Sequence, residues 1–157
     1  MRLYLVQHGE AVPAAIDPER PLSPSGVEDV RRAAALLATA KVRVPRVLHS
    51  GKRRAAETAE LLAAAVAPGT TPEACPGLDP GEPTDALARQ AQGFEEDLML
   101  VGHLPFMARL AARLITGGED TWAASFVPGT VLCLERMDDG RWAVAWLLPP
   151  ELFGPRH

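Results

Sequence analysis

Two histidines far apart in the sequence each follow an apolar run. His8 follows the run at 3–6 after one glutamine, and His103 follows the run at 98–101 after one glycine. Each run predicts a short buried strand, so each histidine lies where a strand gives way to a loop. Ligands of open α/β sheets bind at the carboxyl ends of the strands. Because two strands each place an imidazole at this edge of the sheet, the sequence predicts that the two histidines share one site.

The residues next to the two histidines favour the binding of an anion. Gly9 lets a ligand approach the backbone closely, and Glu10 adds a carboxylate to the same loop. Leu104 and Pro105 follow His103, and the pattern after them predicts a helix. The N-terminus of a helix attracts anions through its free backbone amides and its dipole.

A basic cluster begins at the end of another predicted strand. The segment at 50–58 reads Ser-Gly-Lys-Arg-Arg-Ala-Ala-Glu-Thr and predicts the start of a helix. Lys52 and Arg53 are interpreted as a solvated face of that helix. Arg54 lies about one turn into the helix, where its side chain can reach the carboxyl edge of the sheet. A planar guanidinium is suited to a bidentate grip on phosphate.

Two histidines, an arginine and a helix N-terminus together suit a phosphoryl group. One neutral imidazole can attack phosphorus, and the other, when protonated, can stabilise charge on the equatorial oxygens. The same residue types could also ligate a metal, with Glu10 or an aspartate as the third ligand. The nearby arginine repels cations, and no His-x-x-x-His spacing is present, so we expect a site without a metal.

The order of predicted elements positions these residues in one domain over 1–157. It predicts a three-layer α/β/α fold with a mostly parallel central sheet and an antiparallel C-terminal pair of strands. The first helix should begin near Ser23 or Ser25, where Ser25 and Glu28 fit a capping box. Ser50 can cap the second helix. In the last predicted strand Trp142, Val144 and Trp146 alternate, which predicts one common face.

Composition excludes several classes of protein. The chain has 157 residues and a formal net charge of −4, which disfavours a nucleic-acid-binding surface and a polybasic membrane anchor. No uninterrupted apolar stretch is long enough to span a bilayer. The sequence opens on a strand pattern, not on a signal peptide, so we expect a cytoplasmic protein. Nothing in the sequence marks an interface between subunits.

Three separated segments resemble the motifs of the histidine phosphatase superfamily, which includes the phosphoglycerate mutases. The residues at 5–11 resemble its Arg-His-Gly signature, those at 50–58 its Ser-Pro-x-x-Arg-Ala-x-x-Thr segment, and those at 101–103 its second histidine motif. The short chain and the segment Arg-Pro-Leu-Ser-Pro-Ser-Gly at 20–26 are similar to the bacterial phosphohistidine phosphatases of the SixA type. The resemblance covers nearly the whole chain and implies a phosphoglycerate mutase-like fold.

The resemblance also implies roles for individual residues. His8 would be the nucleophile that becomes phosphorylated, and Arg54 would clamp the phosphoryl oxygens together with the backbone near Gly9. His103 would be the second pocket histidine, and the backbone at Leu104 would add a donor. The superfamily needs no metal and no organic cofactor.

Gln7 departs from the family pattern, which has arginine before the nucleophile. Glutamine keeps amide donors but loses a permanent charge, and loss of one transition-state donor costs on the order of 100- to 1000-fold in rate. Gln7 could suffice as a neutral donor, Arg20 could replace the missing arginine, or catalysis could be weak. We expect the first two together.

Three acidic residues could serve as the general acid: Asp79, Glu82 and Asp85. For each of them, a solvated carboxylate in a loop is at least as good an interpretation. Phosphohistidine has a good leaving group and needs little help from an acid. The resemblance, the short chain and the open pocket expected of it together imply phosphohistidine on a phosphorelay or phosphotransferase protein as the substrate. The alternatives are a phosphatase for small phosphate esters and a phosphate- or phosphohistidine-binding module that Gln7 has disabled.

Overall fold

In the computed structural model, which describes residues 1–154, strands and helices alternate along most of the chain. The strands are β1 (Arg2–Gln7), β2 (Val47–His49), β3 (Glu73–Ala74), β4 (Leu98–Gly102), β5 (Val131–Arg136) and β6 (Trp142–Leu148). The α-helices are α1 (Pro24–Thr39), α2 (Arg53–Val66), α3 (Asp85–Ala91) and α4 (Phe106–Thr116). A short 3₁₀ helix covers Pro150–Phe153.

The strands form one mixed sheet in the order β3-β2-β4-β1-β5-β6. The first four strands in that order pair in parallel, whereas β5 pairs antiparallel with both β1 and β6. This arrangement confirms the predicted α/β fold with an antiparallel pair at its C-terminal end. The carboxyl ends of β1, β2 and β4 lie side by side at one edge, where the sequence predicts the site.

Apolar side chains on the two faces of the sheet build two cores. In β1, Tyr4 and Val6 pack on one face with residues of α1 and α2. Leu3 and Leu5 pack on the other face with residues of α3 and α4. The alternation follows from the period of two of a strand. Because both faces are covered, β1 is apolar almost throughout, as parallel strands generally are.

The starts of the first two helices differ in part from the sequence prediction. Ser23 caps α1 by accepting a hydrogen bond from the backbone amide of Gly26 at 3.0 Å, so the capping box of Ser25 and Glu28 is wrong. Helix α2 begins at Arg53 after Lys52, and no side chain caps it. The predicted cap by Ser50 is therefore also wrong, because its hydroxyl is used elsewhere.

A β-bulge divides the last strand pair. Cys133 pairs with Trp146 and Leu134 with Val144, so the register shifts by one residue between them. As a result Trp142 packs in the core with α4, whereas Trp146 contacts Tyr4 on the opposite face at 5.9 Å between ring centroids. The predicted common face for the two tryptophans is wrong, because an inserted residue reverses the alternation. Separately, within residues 1–154 no helix combines the length and the hydropathy needed to cross a membrane.

Candidate active site

The two histidines come together at the carboxyl edge of the sheet. Gln7 pairs with Gly102 at the ends of β1 and β4, so the next residue on each strand is one of the histidines. The ring centroids of His8 and His103 lie 5.0 Å apart, with the ring planes inclined by 53°. Both side chains are buried. The structure thus brings the pair into one pocket.

The hydrogen bond of His8 defines which ring nitrogen can react. Its Nδ1 lies 2.7 Å from the carbonyl oxygen of Gly9. A carbonyl only accepts, so Nδ1 carries the proton and Nε2 keeps its lone pair. Burial lowers the pKa of His8 to about 4, and the positive charges of Arg54 and Arg20 also lower it. At neutral pH His8 is therefore an uncharged imidazole with a free nucleophilic nitrogen.

His103 is also uncharged in the free protein. It is 1% exposed, its Nε2 lies 2.6 Å from the hydroxyl oxygen of Ser50, and its Nδ1 has no hydrogen-bond partner. Burial lowers the pKa of His103 to about 3, and the neighbouring His8 and Arg54 lower it further. The sequence hypothesis requires a protonated second histidine, whereas this low pKa leaves His103 uncharged at neutral pH.

Arg54 lies in the first turn of α2 and has unused hydrogen-bonding capacity. Its Nε is buried and has no partner. Burial lowers the pKa of Arg54, and the charge of Arg20 acts in the same direction. Two guanidinium groups close enough to repel each other, one with an unpaired buried donor, would both be stabilised by an anion between them.

Arg20 reaches this neighbourhood from the loop between β1 and α1. Ala11 and Leu22 form an antiparallel bridge that closes the loop. Arg20 lies near its end with a left-handed backbone, at φ 49°. Its Nε donates to the carbonyl of Val12 at 3.2 Å, which holds the side chain. Its charge lowers the pKa of His8, Arg54 and His103, so the guanidinium lies within electrostatic range of all of them.

Gln7 and Gly9 flank the nucleophile in different ways. Gln7 is 7% exposed, and its Oε1 has no hydrogen-bond partner. Gly9 faces helix α1, because a Cβ there would lie 2.8 Å from Cγ2 of Val30. Its carbonyl accepts from His8, and its amide donates to the hydroxyl of Thr58 at 3.0 Å. These contacts assign Gly9 to the support of the nucleophile loop.

Thr58 is a supporting residue to which sequence reasoning assigned no role. It is 0% exposed, and its hydroxyl donates to the carbonyl of Arg54 at 2.7 Å while it accepts from the amide of Gly9. One side chain therefore ties the helix that carries Arg54 to the loop that carries His8. The signal in the sequence is the spacing of four between Arg54 and Thr58, which places them one turn apart.

The three candidate acids lie in different surroundings. Asp79 pairs with Lys52 at 3.8 Å, and its charge acts on Arg54. Glu82 lines an apolar cavity of about 370 Å³ between the sheet and α3. Asp85 begins α3 and pairs with Arg89 at 4.0 Å. Of the three acids, Asp79 is the one whose charge acts on Arg54.

The remaining predicted groups have simple placements. Leu104 connects His103 to α4, and the carbonyl of His103 accepts from the amide of Met107 at 2.9 Å. The Glu10 carboxylate accepts from the hydroxyl of Ser23 at 3.1 Å, at the start of α1. Among residues 1–154, no three His, Cys, Asp or Glu side chains are grouped so as to hold a metal ion.

Comparison with known proteins finds similarity to one family. The model of the histidine phosphatase superfamily (branch 1) matches residues 3–79. Phosphohistidine phosphatase SixA of Escherichia coli (strain K12) is 26% identical over 155 residues, which cover 96% of this chain and 94% of that protein.

Solved structures agree with the sequence comparison. The protein histidine phosphatase SixA complexed with tungstate superposes with a TM-score of 0.84 at 26% identity, over 98% of this chain and 99% of that chain. An alpha-ribazole phosphatase from Shigella flexneri shares the fold with a TM-score of 0.75 at 20% identity, over 96% of this chain and 97% of that chain. With the three motifs at one sheet edge, these findings show a chain that matches the histidine phosphatase superfamily over residues 3–79 and is SixA-like in sequence and fold.

Proposed function

We propose that the protein is a phosphatase that removes phosphate from phosphohistidine on another protein, through a phosphohistidine intermediate at its own His8. The observation that carries this proposal is the pair of uncharged, buried imidazoles 5.0 Å apart, within range of the charges of Arg54 and Arg20. One imidazole has a free lone pair for attack, and the two guanidinium groups attract a phosphoryl dianion. The similarity to SixA supports the substrate class.

The proposed reaction has two displacements at phosphorus. In the first, Nε2 of His8 forms a bond to phosphorus, and the bond from phosphorus to the substrate imidazole breaks. The substrate imidazole leaves with a proton from solvent, while Nδ1 of His8 keeps its hydrogen bond to Gly9. In the second, water attacks phosphorus, its proton goes to solvent, and inorganic phosphate leaves. Nε2 then recovers its lone pair.

The chemistry of the leaving group and the openness of the site favour phosphohistidine over a phosphate ester as substrate. Asp79, one of the candidate acids, lies 3.8 Å from Lys52. An alkoxide is a poor leaving group without a general acid, whereas imidazole leaves readily once it is protonated. Lys52 lines an open cavity of about 410 Å³ together with Gly51 and Arg54. An open cavity suits a histidine presented by a folded protein.

The test is single-turnover dephosphorylation of a phosphohistidine-bearing protein beside a small phosphate ester. The wild type should acquire an acid-labile label and should release phosphate faster from phosphohistidine. His8→Ala should acquire no label and should release no phosphate. If the wild type binds tungstate but neither becomes labelled nor turns over, the proposal fails and the protein is a binding module. Gln7 would then be the reason for the missing activity.

A phosphatase for small phosphate esters is the second candidate, because Asp79 is a possible general acid that lies close enough to Arg54 for its charge to act there. Asp79→Asn separates the two, because it removes any acid at that position but leaves the histidines in place. Hydrolysis of an ester that is faster than that of phosphohistidine, and that Asp79→Asn abolishes, would establish the ester reaction. The cytoplasmic location and the phosphorelay or phosphotransferase partner stay predictions.

A further inference from the structure

Ser50 contacts the second histidine, His103, and this contact belongs neither to a helix cap nor to the surroundings of His8. It follows β2, which pairs in parallel with β4 so that His49 lies beside Val101. This register places Ser50 next to the end of β4 and its hydroxyl 2.6 Å from Nε2 of His103. The Ser50 oxygen also lies 3.3 Å from the backbone amide of Lys52, which donates to it.

The hydrogen bonds around His103 distinguish its two neutral tautomers. A neutral imidazole carries one donor nitrogen and one acceptor nitrogen. If the proton were on Nδ1, a buried N–H would have no acceptor, since that atom has no partner. Buried N–H groups without a partner are rarer than under-used acceptors. The proton on Nε2, by contrast, has the Ser50 oxygen at 2.6 Å.

We propose that Ser50 is a positioning residue that holds His103 in the Nε2–H tautomer, so that an uncharged His103 donates a hydrogen bond to the phosphoryl group. The proposal rests on the proposed function for its catalytic consequence. It also defines the protonation state and the tautomer in which His103 acts. The Ser50 oxygen, which then accepts from Nε2–H and from the Lys52 amide, has both lone pairs in use and its own O–H free to donate. A phosphoryl oxygen that approaches both groups would take over the Nε2–H hydrogen bond from the Ser50 oxygen and would also accept from the Ser50 hydroxyl.

The alternative tautomer would work against the reaction. With the proton on Nδ1, Nε2 would present a lone pair to an oxygen that carries negative charge. Removal of the Ser50 hydroxyl takes away the acceptor that favours Nε2–H, so part of the population would adopt this unproductive form. Loss of a transition-state donor costs on the order of 100- to 1000-fold when complete. A partial loss of the tautomer predicts a fall in kcat of about tenfold.

The test reads the tautomer directly by ¹⁵N NMR of histidine-labelled protein at neutral pH, with resonances assigned from single histidine variants. His103 should show the Nε2–H pattern in the wild type and in Ser50→Thr, and a mixture of tautomers in Ser50→Ala. His8 is the internal reference, because its bond to Gly9 requires Nδ1–H. Ser125→Ala, which removes an exposed hydroxyl in the loop before β5, should change neither pattern.

The activity measurement separates this proposal from the proposed function. Ser50→Ala should lower kcat, and Ser50→Thr should restore most of it. A wild-type His103 with the Nδ1–H pattern, or an unchanged tautomer in Ser50→Ala, would overturn the inference even if the protein is an active phosphatase. The expected tautomers in a protein without turnover would uphold the role of Ser50 on His103, and the proposed function alone would fail.

Discussion

At the scale of single residues, the pocket keeps two imidazoles uncharged beside two guanidinium groups. Burial disfavours the charged form of each imidazole, and the nearby positive charges of Arg54 and Arg20 add to the effect. An uncharged His8 keeps its lone pair over a wider range of pH than an ordinary histidine would. An arriving dianion meets two guanidinium groups that repel each other in its absence.

This electrostatic arrangement predicts activity in mild acid. The pKa of His8 is about 4 in the free protein, below the ordinary value of 6.5, so the lone pair is lost only when the pH falls to about 4. The acid limb of the kcat/KM profile, which reports the free enzyme, should therefore lie near pH 4. Circular dichroism at each pH should verify that the protein is folded. An acid limb near 6.5 would show that the pocket leaves His8 unperturbed.

A second prediction concerns the arginine missing from position 7. Arg20→Ala should lower the phosphatase rate on the order of 100-fold, because it removes a donor and a charge beside the phosphoryl group. Gln7→Arg should recover part of that loss when combined with Arg20→Ala. Rates are measured on the same phosphohistidine protein, with Arg31→Ala, an exposed arginine on α1, as the control. If Arg20→Ala loses no activity, Arg20 does not take over the role of the arginine that is missing at position 7.

At the scale of elements, the nucleophile loop is held between two helices. Thr58 on α2 bonds to the amide of Gly9, which follows the nucleophile. On the other side α1 approaches so closely that a Cβ on Gly26 would lie 2.1 Å from the carbonyl oxygen of Glu10. The loop after β1 therefore has little freedom. That rigidity presents Nε2 of His8 in one orientation, which an in-line attack requires.

Thr58→Val tests the tie between α2 and the loop. Valine has nearly the same shape but no hydroxyl, so the buried amide of Gly9 would lose its acceptor. We expect a loss of about 1–3 kcal/mol in the free energy of unfolding, together with a lower kcat. Thr58→Ser keeps the hydroxyl and should lower neither quantity to the same extent. Equal effects of the two substitutions would mean that packing of the methyl group, not the hydrogen bond, is what matters.

Gly26→Ala tests the close approach of α1. Alanine normally stabilises a helix interior by about 0.5–1 kcal/mol relative to glycine. Here the added Cβ would overlap the backbone of Glu10, so we expect a net destabilisation of about 1–3 kcal/mol. The matched control is Gly81→Ala, since a Cβ at Gly81 would meet nothing within 4 Å. Urea unfolding of both variants measures the difference, and a more stable Gly26→Ala would contradict the packing.

At the scale of the whole molecule, the active site costs the fold stability in acid. The folded protein holds His8 and His103 with pKa values of about 4 and about 3, whereas both groups titrate near 6.5 in an unfolded chain. Between these values the unfolded state binds protons that the native state does not. The free energy of unfolding must then decrease as the pH falls from about 6.5 toward 4.

Urea unfolding at pH 7 and pH 5 checks this dependence. The wild type should lose stability between the two pH values, and His8→Gln should lose less, because one of the two titrating groups is gone. Saturating tungstate should reduce the loss for the wild type, since an anion in the pocket stabilises the protonated histidines. Equal losses in the wild type and in His8→Gln would mean that other groups, such as paired carboxylates, control the acid stability.

The sequence by itself determined the order of the elements and the meeting of the two histidines. Apolar runs, turn residues and strand ends are local signals, and parallel strands bring their carboxyl ends to one edge regardless of further detail. The glycine, threonine and arginine of the shared motifs could be recognised for the same reason. They lie at short, regular spacings in the printed chain.

Only the tertiary structure decided what each polar group binds. Ser50 fits a helix cap locally, yet the neighbouring strand offers its hydroxyl a buried ring nitrogen of His103. The charge state of that histidine depends on burial and on arginines from two other segments, and the face taken by Trp146 depends on a bulge against β5. These outcomes depend on distances between residues that are remote in sequence. Burial determines which hydrogen bonds and charge states result, because an unpaired polar group or an isolated charge is costly in a buried site.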